Sequence, residues 1–164
     1  MNPVRTILLG LAALCVGLGM AASSSAQDCS ELPPMHRLKV EPLTVTTAHG
    51  PVTFKTEIAL SSAEQERGLM CRKTVGKDHA MLFVFKPAQP VAFWMKNTLI
   101  PLDMLFVGPD GHVFKIVRKA PALSLDPIPS DGQTVGVIEI AGGRADSAGV
   151  EPGDKIESKS LPHG

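Results

Sequence analysis

The pattern of apolar and polar positions sets most of the secondary structure. From Val52 to Leu60 the chain alternates: Val52, Phe54, Ile58 and Leu60 fall on one face, Thr53, Lys55 and Glu57 on the other. That period of two marks a half-buried strand. Ser61 follows, with Glu64 three residues on, a capping box that predicts a short helix over 62–67 closed by Gly68. Met81–Phe85 is apolar on both faces, which predicts a strand buried on both sides. Residues 91–96 and 103–107 read as two further strands, and Gly108-Pro-Asp-Gly111 as a tight turn returning the chain into a strand at His112–Val117. A Pro-rich loop over 121–133 crosses to a strand at Val135–Ile140, and a second small helix is expected near Arg144–Ala148, stopped by Gly149. Many short strands separated by turns predict a mostly β domain, α+β at the margin. It is expected to be a single sandwich or barrel-like domain with jelly-roll-like character and one or two short helices. The domain is placed at 36–160, with a tail at 161–164.

The first residues change the picture from a bare domain to an exported one. Arg5 precedes a charge-free run from Ile7 to Ala22, and Ser24-Ser25-Ala26 supplies small residues for cleavage. This is the pattern of a secretory signal peptide over 1–26, cut near Ala26, and the run is short for a membrane span. The expected location is therefore the periplasm or the exterior, with no stable membrane insertion after cleavage. Residues 27–35, with Pro33-Pro34, read as a linker. Cleavage removes Cys15 and leaves Cys29 and Cys71, and two thiols in an exported chain are expected to pair.

Charge narrows the partners. The whole chain has 16 basic and 16 acidic side chains, so no basic stripe is available to displace counterions from nucleic acid. The sequence holds no G-x-S-x-G, H-E-x-x-H or phosphate-loop glycine pattern, and no cofactor is expected.

The candidate chemistry is sparse. Glu139 lies inside VGVIEIAG and Asp103 opens an apolar strand, and a carboxyl among apolar residues can serve as an acid or base. Either can instead fix structure by accepting backbone N–H groups or pairing with Arg67 or Arg72. Trp94, the only tryptophan in a chain without tyrosine, stands with Lys96 and Asn97 in an otherwise apolar stretch. If 91–96 and 103–107 pair as antiparallel strands, parity places Lys96 opposite Asp103 and sets Trp94 on the more polar face. Residues 97–102 are too apolar for an exposed turn and are expected to cover the core or wall a pocket. Arg67, Trp94, Lys96, Asn97 and Asp103 are thus the ligand-binding candidates. Met70, Cys71, His79, Met81 and Met95 together suit Cu(I), although methionines more commonly fill cores and a disulfide removes Cys71.

The segments ERGLM (66–70), AMLFVF (80–85), FWMKNTLIPLDMLFV (93–107), VIEIAGG (137–143) and AGVEPGDKI (148–156) closely resemble the domain of unknown function 192 family. The resemblance runs from about Val52 to Ile156. It implies a compact, often exported β-rich domain and carries no activity with it. Ala80 stands where the family usually has Gly, and Cys71 is a further departure that favours a locally acquired Cys29–Cys71 bridge. The last segment also looks like part of a PDZ domain, but a PDZ domain would also need a carboxylate-binding loop and strand upstream of it. The leading expectation is a non-enzymatic module that binds a small molecule or an envelope partner. The alternatives are a hydrolase-like enzyme using Glu139 or Asp103 and, more remotely, a Cu(I)-binding protein.

Overall fold

The computed structural model describes residues 29, 30, 32 and 37–161, so the expected signal segment and most of the expected linker lie outside the described residues. Strands β1 (Lys39–Thr47) and β2 (Gly50–Ala59) form an antiparallel hairpin. Helix α1 (Ser62–Arg67) follows, opened by the predicted capping box of Ser61 and Glu64 and closed by Gly68. It links β2 to β3 (His79–Gln89), which runs parallel to β2. After β4 (Ala92–Phe93) come β5 (Leu102–Val107) and β6 (Val113–Ala120), joined by the Gly108–Gly111 turn. Then follow β7 (Ile128–Pro129), β8 (Thr134–Ala141), α2 (Arg144–Ala148) and β9 (Lys155–Glu157).

Seven strands make one sheet in the order β6-β5-β8-β3-β2-β1-β9, and β4 with β7 makes a small second sheet. The two outermost strands meet at one end. His112 bridges Lys155, Val113 N–H donates to Asp154 O at 2.9 Å, and Ile156 N–H to Gly111 O at 2.9 Å. The sheet therefore curls into a half-barrel, which satisfies part of its edge hydrogen bonding. The mostly β expectation holds, and the barrel-like form is the one realised.

The doubly apolar strands explain how the layers stack. In β3 and β5, Leu82, Val84, Leu105 and Val107 face one cluster inside the curl, with Ile138 and Ile140 of β8. Met81, Phe83, Met104, Phe106 and Val137 face a second cluster outside it, closed by Leu69, Met95 and Leu102. A strand covered on both faces has no polar face to display, so β5 is buried at every position. Leu60 departs from its predicted place: the chain leaves β2 after Ala59 to enter the cap of α1, and Leu60 is exposed.

Candidate functional site

Outside the curl, beside the C-terminal end of α1, a cleft of about 430 Å³ opens over the second cluster. That is within the usual size range for small-molecule sites. Its wall is aromatic: Phe83, Phe85, Phe93 and Trp94. Phe93 packs edge-on against Phe83, with ring centroids 5.0 Å apart, which fixes the wall. Trp94 remains 48% exposed at the rim, with Lys96 Nζ 5.2 Å from its ring centroid on a cation–π contact.

The backbone that presents Arg67 is shaped by Gly68. Its φ of +44° is a conformation L side chains rarely adopt, and a Cβ there would lie 3.2 Å from the Phe83 ring. The close approach brings the end of α1 down onto β3 and sets Arg67 in the cleft lining. Two of its nitrogens, Nε and Nη1, are buried without a hydrogen-bond partner. An unpaired buried donor is costly, and native structures keep few of them.

Glu139 lies at the same cleft. Its cross-strand neighbours are Met81 on β3 and Met104 on β5, so the carboxyl emerges from an apolar face. Burial pushes its pKa up to about 8, against the field of Arg72, which favours the charged form. Arg72 itself is committed to Glu57, at 2.5 Å. The carboxyl therefore holds its proton across most of the neutral range.

Asp103 has a different task. Its Oδ1 accepts the N–H groups of Lys119 at 2.7 Å and Gly143 at 2.9 Å, and Oδ2 accepts that of Ala145 at 2.7 Å. Gly143, the N-cap of α2, has no side chain to offer, and Asp103 caps the helix from a neighbouring strand instead. The predicted Lys96–Asp103 pair does not form. Both edges of β5 are taken, by β6 and β8, so 91–96 has no place beside it. Only Ala92–Phe93 is strand, paired with β7, and the chain turns at Asn97, whose φ is +56°.

Asn97 is buried below the rim, with its Oδ1 unpartnered and its Nδ2 toward Met70 Sδ at 3.9 Å. Its carbonyl accepts the Cys71 N–H at 2.8 Å. Cys71 is joined to Cys29 by a disulfide, Cα to Cα 5.7 Å, as the cysteine count predicts. The proposed soft-metal set is dispersed. Cys71 is in the bridge, His79 is exposed, and Met81 and Met95 are fully buried in the second cluster. Among the described residues no three His, Cys, Asp or Glu side chains converge as metal ligands. Sequence reasoning named Arg67, Trp94 and Glu139 but missed the aromatic wall, because Phe85 and Phe93 read as ordinary strand residues.

The profile of the DUF192 family, described as an uncharacterized ACR, matches residues 44–158. Among curated proteins, none matches. A crystal structure of a protein of unknown function from Novosphingobium aromaticivorans is similar at 42% identity and a TM-score of 0.74, covering 77% of this chain and 91% of its own. A second, from Sinorhizobium meliloti and described as a "putative transcription regulator", is similar at 36% identity and a TM-score of 0.75, covering 78% of this chain and all of its own.

Proposed function

We propose that this chain, which belongs to the DUF192 family, is an exported, non-enzymatic module that binds a small molecule in the cleft beside α1. One observation carries the reading: an aromatic-walled cleft of ligand size whose lining includes a guanidinium with two unpartnered buried nitrogens. Such a guanidinium is satisfied once a ligand supplies acceptors. Export is supported by the N-terminal signal pattern and by the disulfide, which persists in oxidising compartments. The Sinorhizobium relative is described as a "putative transcription regulator"; direct binding of nucleic acid by this chain is disfavoured by its balance of 16 basic and 16 acidic side chains.

The raised pKa of Glu139 favours one second reading, an enzyme in which that carboxyl acts as a general acid. Asp103 drops out of this reading because three backbone donors occupy its oxygens.

Trp94 supplies the test, since no other tryptophan or tyrosine contributes to its fluorescence. A panel of small acids, sugars, lipids and peptides is titrated while its emission and its quenching by acrylamide are followed. A ligand in the cleft shifts the emission and shields the ring. Silence across the panel counts against the reading. With a ligand in hand, Glu139→Gln separates the two functions: a binder keeps its ligand, and an enzyme loses turnover.

A further inference from the structure

We propose that the cleft selects small monocarboxylates bearing a flat apolar group, with Arg67 holding the carboxylate and the aromatic wall holding the rest. This rests on the binding reading above and names its ligand class. Three features of the lining carry it.

The first is charge. Arg67 is the one basic side chain lining the cleft among the described residues, and Glu66 and Glu139 are its acidic ones. A single cation beside carboxyl groups compensates one negative charge, whereas a dianionic phosphate would leave a second uncompensated in a partly desolvated site. The second is geometry. A planar guanidinium takes a carboxylate with two parallel hydrogen bonds, along the edge formed by Nε–H and Nη2 or by its two Nη groups. Among the described residues no hydrogen bond or ion pair engages the Arg67 side chain. Glu139 does not neutralise Arg67: the two form no ion pair, and burial leaves the carboxyl mostly protonated at neutral pH. A protonated carboxyl also offers one O–H to the incoming carboxylate. The third is the aromatic lining. Phe85, Phe93 and Trp94 line the cleft, with Phe85 and Phe93 edge-on to each other, and aromatic side chains favour offset or edge-on packing of another flat group.

The test titrates the oxidised protein at pH 7 with phenylacetate, 2-phenylethanol and phenyl phosphate, reading Trp94 fluorescence and heat of binding. Phenylacetate is expected to bind at least tenfold tighter than 2-phenylethanol. Arg67→Met is expected to erase that difference by weakening phenylacetate binding at least tenfold, and Arg67→Lys to keep part of it, because an ammonium lacks the planar fork. Folding of each variant is checked by its thermal transition. Equal binding of the acid and the alcohol overturns the carboxylate assignment and leaves the cleft as a site for neutral molecules. Tighter binding of phenyl phosphate overturns it in favour of a phosphate ester. Absence of binding by all three overturns the assignment, while the reading beneath it falls only if the wider panel is silent as well.

Discussion

Arg67 and Glu139 line one cleft with opposite formal charges, and no salt bridge joins them. Two Arg67 nitrogens are buried without partners, and burial holds the Glu139 carboxyl's pKa up. Structural ion pairs do not look like this, because removing both from water without pairing them costs stability.

Arg67 should therefore be a liability in the free protein. Replacing it by Met removes two buried donors that lack partners and keeps much of the stem's packing. Arg67→Met is expected to raise unfolding stability by about 1 kcal/mol in urea titrations without ligand. A structural Arg67 would give a loss instead.

Glu139 makes stability depend on pH with a definite sign. Its folded pKa of about 8 exceeds the ordinary 4.5, so between these values the folded state binds more protons than the unfolded one. Stability from this group is highest below about pH 4.5, declines as pH rises and levels off above about pH 8. Arg72, paired with Glu57, faces the same carboxyl and moderates the decline. Chemical denaturation from pH 5 to pH 9 should show wild type losing stability relative to Glu139→Gln. Parallel curves would contradict the assignment.

Asp103 is a structural carboxylate. Asp103→Ala leaves three backbone donors without an acceptor and uncaps α2, at a cost of about 3 kcal/mol or more. Urea midpoints read the loss. At low temperature, where the variant remains folded, its affinity for a cleft ligand should match wild type.

The Cys29–Cys71 bridge closes a loop across 42 positions. The chain-entropy relation gives about 4 kcal/mol for such a loop as an upper value. Reduction should lower the unfolding midpoint and add two hydrogens to the intact mass, while far-ultraviolet circular dichroism keeps its β signature. A loss of that signature would mean that the bridge, and not the two apolar clusters, holds the sheet together.

Local signals were readable where the physics is local. The capping box at Ser61 and Glu64, the turn at Gly108–Gly111 and the doubly apolar run at Met81–Phe85 each took the predicted form. The site was legible in its residues but not in its arrangement. Asp103 meets its helix 40 and 42 positions away, and nothing near it in sequence announces that cap. Lys96 was assigned to Asp103 by strand parity, which cannot reveal that β8 and β6 occupy both edges of β5. The cleft itself depends on Gly68 meeting Phe83 across the fold, a contact with no periodic signature.

The central claim is that Arg67 is the anchor for a ligand. Its most direct test is the ¹⁵N–¹H signal of the Arg67 side-chain Nε–H, assigned by its loss in Arg67→Lys, as phenylacetate is added. The Nε–H is buried and unpartnered in the free protein, so carboxylate docking should move its proton signal downfield. The shift should saturate with the same affinity that Trp94 fluorescence reports. An Nε–H signal that stays in place while Trp94 reports full occupancy would contradict the account.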